Sequence, residues 1–216
     1  MSTGKTVALF LGLLLAAVLF GALSPSRDTI DRLEPARVER GRYLVASIGC
    51  ADCHSPKVLG PNGPEPDMTR FLAGHPEKDV LPAPPQLPPG PWIAVVSADL
   101  TAWSGPWGIS YTANLTPDMN TGIGIWTEDM FIKAIKTGRH MGVSRPILPP
   151  MPWPFFRNLT EEDLGAIFTY LRTIPPVHNR VPEPVEPTAV PSHQTSQTMS
   201  GPDFDDPAIR IAAVPV

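Results

Sequence analysis

Residues 50–54 read Cys50-Ala51-Asp52-Cys53-His54, and both cysteines of the 216-residue chain lie in this pentapeptide. Two thiols three residues apart near the end of a helix fall on one side of it, and the next residue adds an imidazole beside them. This is the form of a c-type haem attachment sequence: the thiols reach the two vinyl groups of one porphyrin, and His54 projects to the iron as a ligand. The rival readings each fail on a residue. A thioredoxin-type pair wants alternating strands and helices, which this proline-rich chain lacks. A structural zinc site wants a second cysteine pair, and there are no more cysteines. A plain disulfide leaves His54 unexplained. One motif implies one haem c, attached through Cys50 and Cys53, and its apolar face would supply core that a small domain lacks.

Upstream of the motif, Gly41, Leu44, Val45 and Ile48 fall at three- and four-residue spacings after Pro35, which predicts a helix over 35–47. Downstream, 55–91 holds eleven prolines and no periodicity, and is expected as an irregular excursion. Residues 92–112 turn to Ile, Val, Trp, Tyr and Thr around Ser104-Gly105-Pro106, which predicts a short hairpin. A second helix is expected after the cap Thr127, with Trp126 and Phe131 as a hydrophobic staple and Gly138 as its stop. A third follows Thr160-Glu161-Glu162-Asp163, carries Leu164, Ile167, Phe168 and Leu171 on one face, and ends at Pro175-Pro176. The tail beyond Asn179 is rich in Pro, Ser and Thr and is expected as extended or disordered chain.

The composition bounds the function. A formal charge of −4 fits neither a polybasic nucleic-acid binder nor a polyacidic tail protein, so no nucleic-acid partner is expected. With 29 prolines and 17 glycines, less than the full length can be packed core. At the N-terminus, the 21 residues of 6–26 carry no charge, enough for a helix of about 31 Å, the thickness of a bilayer's hydrocarbon layer. The reading is a single-pass membrane anchor, with a cleaved signal segment as the alternative. The expected organisation is therefore an anchor or signal at 1–26, a haem domain at 27–178 containing the 55–112 insertion, and a tail at 179–216.

The motif at Cys50–His54, Asn-Leu-Thr-Pro-Asp at 114–118, Thr-Gly-Ile-Gly-Ile-Trp at 121–126, Pro-Pro-Met-Pro-Trp at 149–153 and the helix from Leu159 to Arg172 together resemble a class I c-type cytochrome. Within that class the chain is similar to cytochrome domains associated with membrane-bound dehydrogenases. The resemblance covers 35–176. It implies a mainly α fold around one haem, with the first and last helices crossing where Gly41 meets Phe168 or Tyr170. The long 55–112 segment departs from the family's usual loop.

A closed electron-transfer haem needs a second axial ligand, and a thioether raises the potential relative to a second imidazole. Met151 is flanked by Pro149, Pro150 and Pro152, so its backbone has little entropy left to lose, and it stands where the class I pattern places its methionine. His54 and Met151 are thus the expected iron ligands. His140 is the rival, Met130 suits core filling, Met68 and Met119 lie in loops, and His75, His178 and His193 are read as surface histidines. Carbonyls at Pro56 or Gly60-Pro61 are expected to orient His54. Tyr111, Asn114, Trp126, Arg139 and Arg145 are candidate donors to the propionates.

The expected function is one-electron carriage by a protein that is not itself an enzyme, between redox partners such as a dehydrogenase and a terminal oxidase. The alternatives are a haem sensor or enzyme with an open sixth position, or a subunit of a larger complex docking through 55–112. Covalent haem attachment places the domain in the periplasm, beside the cytoplasmic membrane if the anchor persists.

Overall fold

The computed structural model describes residues 27–187. Five helices and two small sheets make up those residues: α1 (Arg27–Ser47), α2 (Cys50–His54), α3 (Glu128–Thr137), α4 (Trp153–Phe156) and α5 (Glu161–Leu171), with strands β1 (Lys57–Gly60), β2 (Gly63–Pro66), β3 (Val95–Val96), β4 (Ala102–Gly105) and β5 (Gly108–Tyr111). The expectation of a mainly α fold with a transmembrane helix is corrected by this mixture. Among the described residues no helix is long and apolar enough to cross a membrane. The apolar run at 7–23 lies outside the described residues.

Local chemistry sets the helix ends. Thr127 accepts from the Met130 N–H and Gly138, at φ 67°, donates back to Ala134, so α3 is closed at both ends as its sequence predicts. Thr160 accepts from the Asp163 N–H to start α5. α1 begins upstream of the expected Pro35, which sits inside it; the ring removes one helical N–H there, but the helix runs on to Ser47. α4, directly after Met151, had no signal of its own.

The core forms where α1 crosses α5 and α3 closes against both. Leu44 and Val45 of α1 meet Leu164, Ile167, Phe168 and Leu171 of α5, with Phe131 and Ile135 of α3 behind them. A Cβ built at Gly41 would stand 2.7 Å from the Tyr170 Cβ and nearer still to the Ala166 carbonyl oxygen, so only glycine lets these helices touch. Tyr170 is the crossing contact, while Phe168 turns to the Phe131 ring at 5.6 Å. At the rim, Arg37 reaches Glu128 and Arg40 reaches Asp163, tying α1 to the other two helices. Met130, expected in the core, is only half-buried.

The proline-rich excursion is more ordered than its composition suggests. β1 and β2 pair antiparallel across Pro61-Asn62, with Leu59 opposite Pro64 and Lys57 opposite Pro66. In a two-stranded ribbon each strand keeps a free edge, where a proline's missing N–H costs no ladder bond. The expected hairpin forms as β4–β5, and β3 adds a third strand in the order β3-β4-β5. The chain also stays on the domain past the boundary expected at 178: Asn179 is buried, and Val185 and Ile109 exchange two 2.9 Å backbone hydrogen bonds.

Candidate functional site

Gly49, in the left-handed conformation at φ 73°, ends α1 and turns the chain into the single-turn helix α2. Cys50 and Cys53 are both free thiols, half-buried on that turn. Burial pushes Cys50 up to about 12 and raises Cys53 as well, so both stay protonated thiols at neutral pH rather than the thiolates a zinc site or a nucleophile requires. Among the described residues no group of three or more His, Cys, Asp or Glu side chains is placed to hold a metal ion. Lys57 of β1 donates to the Ala51 carbonyl at 3.1 Å, fixing the ribbon to the motif.

His54 Nδ1 lies 2.8 Å from the Ala113 carbonyl oxygen. A carbonyl can only accept, so Nδ1 carries the proton and the Nε2 lone pair is left open. Burial pushes the ring's pKa below its ordinary value while the Ala113 bond pulls it partly back, which favours the neutral imidazole a metal ligand must be. The orienting carbonyl is therefore not at Pro56 or Gly60-Pro61; the Pro56 carbonyl accepts from the Asp67 N–H instead. A buried strap at 72–76 holds the same corner, where Gly74 N–H donates to the His54 carbonyl at 2.8 Å and His75 N–H to Thr112 at 3.0 Å. Leu72, at φ 59°, is completely buried there and donates its N–H to the Ser55 hydroxyl at 2.9 Å. A bulky side chain in the left-handed region is strained, and it persists because both its neighbours and its hydrogen bonds over-determine it.

Met151 is half-buried and packs against the same core cluster as Cys50 and Ala51. Its loop is held from β5, where the Ser110 hydroxyl donates to the Pro149 carbonyl at 2.6 Å and accepts from the Trp107 indole at 3.2 Å. The insertion thus has a structural part: β5 and the residues after it contact both the His54 corner and the Met151 loop.

The other candidates separate. Asn114 is buried with its amide spent on the chain: Oδ1 accepts from Thr116 N–H and Oγ1, and Nδ2 donates to the Val177 carbonyl at 2.9 Å. It fastens the C-terminal segment and has nothing left for a propionate. Tyr111 faces away from the Met151 loop, its ring 4.9 Å from that of His75. Arg139 donates to the Ser144 carbonyl, and Arg145 lies 3.6 Å from Glu183; both are exposed. Trp126 is half-buried and meets the His140 ring edge-on at 5.1 Å. Burial and then the Arg145 charge push His140 below its ordinary pKa. His75, read as a surface residue, is buried, with Nδ1 at 2.7 Å from the Thr101 hydroxyl and Nε2 at 3.1 Å from the Asp79 carbonyl.

Sequence reasoning missed Ser110, Thr112 and Asn179. Ser110 lies in β5 and Thr112 one residue past its end; Gly108, Ser110 and Thr112 are buried at alternate positions, an inverted pattern with small polar residues inward, and that inversion was the available signal. Among the described residues, Thr112 Oγ1 is the buried side-chain polar atom without a hydrogen-bond partner, a deficit worth about 1–3 kcal/mol. The donor set fits a c-type haem: two protonated thiols on one turn, a histidine with an open Nε2 and a thioether held at the core edge.

No family model matches the chain. It is 31% identical over 157 residues, 71% of its length, to the gluconate 2-dehydrogenase cytochrome c subunit of Pantoea cypripedii, and 28% identical over 149 residues, 69% of its length, to the fructose dehydrogenase cytochrome subunit of Gluconobacter japonicus. It is also 27% identical over 187 residues to the cytochrome c subunit of a quinone alcohol dehydrogenase from Gluconobacter oxydans. The chain spans 27%, 24% and 30% of the lengths of these three relatives. Over most of its length, then, this chain is similar to part of the cytochrome subunits of dehydrogenases.

Proposed function

We propose that the chain is a one-electron carrier with a single covalent haem c, attached through Cys50 and Cys53, ligated by His54 and Met151, and served by a dehydrogenase as its redox partner. The observation that carries the reading is the commitment of His54, whose Nδ1–H is spent on Ala113 and whose Nε2 is open, directly after two protonated thiols on one helical turn. When bound, haem would supply a reversible ferric/ferrous couple. The chain's own residues do the rest. Cys50 and Cys53 would hold the haem covalently, and Ala113 holds the His54 tautomer. Ser110 holds the loop that presents the Met151 thioether, a ligand that favours the ferrous state. No substrate has to bind and no proton has to move.

The relatives' names support this as the electron-transferring part of a dehydrogenase assembly rather than its catalytic part. We further propose that the domain works outside the cytoplasm, in the periplasm, where covalent haem attachment takes place, and that a terminal acceptor such as an oxidase draws the electron off.

The test is the optical spectrum of the protein matured with haem, oxidised and reduced, with and without carbon monoxide. A c-type spectrum with a weak far-red sulfur-to-iron band, lost in Met151→Ala, and no carbon monoxide binding is expected. Ready carbon monoxide binding with no such band would replace the carrier by a sensor or enzyme with an open sixth position. Absence of covalent haem from Cys50→Ser/Cys53→Ser and wild type alike would overturn the reading altogether.

A further inference from the structure

We infer that the Thr112 hydroxyl is a haem-binding donor, hydrogen-bonding a propionate carboxylate of the cofactor proposed above, on which this inference rests. Thr112 has spent its backbone: its N–H donates to the Thr101 carbonyl at 2.9 Å and its own carbonyl accepts from the His75 N–H at 3.0 Å. Only Oγ1 is uncommitted, on a residue 9% exposed. The face on which the side chain lies follows from strand alternation. Tyr111 pairs with Ala102 in the β4–β5 register, and the Thr112 N–H bond to Thr101 carries that ladder one residue further. Ser110 and Thr112 therefore share one face. That face is the one from which Ser110 reaches Pro149, two residues before Met151. The next residue, Ala113, holds His54. The spare hydroxyl is bracketed by the supports of both proposed axial ligands.

A buried donor with no acceptor among the described residues is open to one brought by a ligand. A propionate is an acceptor-only group, and an O–H donor to a carboxylate makes a charge-assisted bond stronger than a neutral one. The same argument removes Asn114, whose amide is already spent, and Tyr111, which lies on the opposite face.

The experiment uses the full chain matured with haem and reads its reduction potential as a function of pH. Potential falls as a propionate ionises, because the added negative charge favours the ferric state. Thr112→Val keeps the shape and removes the donor, and is expected to move that pH step upward by about one unit, a tenfold change in the propionate's acid constant. Thr112→Ser keeps the hydroxyl and is expected to leave the step in place. If Thr112→Val fails to accumulate, Thr112→Ala removes the same donor without adding bulk. An unmoved step in Val or Ala, or an equal shift in Ser, overturns the assignment. A wild-type protein without a c-type spectrum overturns the underlying haem reading before any variant is made, so the two failures are distinct.

Discussion

Replacing Gly41 by alanine tests the helix crossing on which the site stands. The new Cβ would lie 2.7 Å from the Tyr170 Cβ and closer still to the Ala166 carbonyl oxygen, both of them rigid parts of α5. Ordinary carbon contacts need about 3.5–4 Å, so α1 and α5 must part by about an ångström. Parting them loosens Leu44 and Val45 against Leu164 and Leu171, all nearly fully buried. Overpacking of this kind costs about 1–3 kcal/mol, and a backbone obstacle belongs at the upper end. Alanine's better helix propensity returns about 1 kcal/mol. The net loss is about 2 kcal/mol, or roughly 4–8 °C in Tm for a domain of this size. The assay is thermal unfolding followed by far-ultraviolet circular dichroism, with Glu39→Ala, an exposed position on the same helix, as the comparison. A Gly41→Ala protein as stable as wild type would refute the close crossing, since propensity alone would then raise its Tm.

Three further outcomes follow from named contacts. Asn179→Ala removes the 2.7 and 2.9 Å bonds to the Ala73 and His75 carbonyls and the acceptor of the Glu77 N–H; urea unfolding should show a loss of about 3 kcal/mol, and a loss under about 1 would mean the segment is not clamped. Ser110→Ala frees the Pro149 carbonyl and should cost about 1 kcal/mol in urea unfolding. In the haem-loaded protein the same variant should lose the far-red band at lower denaturant than wild type, and an unchanged band would separate Ser110 from the Met151 loop. Burial raises the Asp99 carboxyl, but hydrogen bonds from Ser97 and Thr101, with His75 beyond Thr101, bring it below its ordinary value on balance. A depressed carboxyl contributes stability that is present above about pH 4 and lost as pH falls through the folded value. Wild type should therefore lose urea resistance below about pH 4 more steeply than Asp99→Asn, and parallel curves would refute the contribution.

The sequence by itself determined what depends on neighbours a few residues apart. The Cys50–His54 pattern is five residues long, and the caps at Thr127 and Thr160 act within three residues. The stop at Gly138 and the stiff Pro-Pro-Met-Pro run are equally local, so propensity and hydrogen-bond reach along the chain suffice to read them. Gly41 was legible as a close-approach site for the same reason, since its helical face is visible in the spacing of Leu44, Val45 and Ile48.

Only the tertiary structure decided which groups meet across long separations. The carbonyl that orients His54 belongs to Ala113, 59 residues away, rather than to a nearby one. Asn114 and Thr112 are two residues apart, yet Asn114 spends its amide on Thr116 and on the 177–179 segment, while the Thr112 hydroxyl has no partner among the described residues. His75 is buried beneath Tyr111, and the proline-rich run at 57–66 pairs as a ribbon. Each outcome turns on which buried donor finds which acceptor once the helices have packed. That matching is set by three-dimensional proximity and the cost of leaving a buried polar group unpaired, neither of which local sequence encodes.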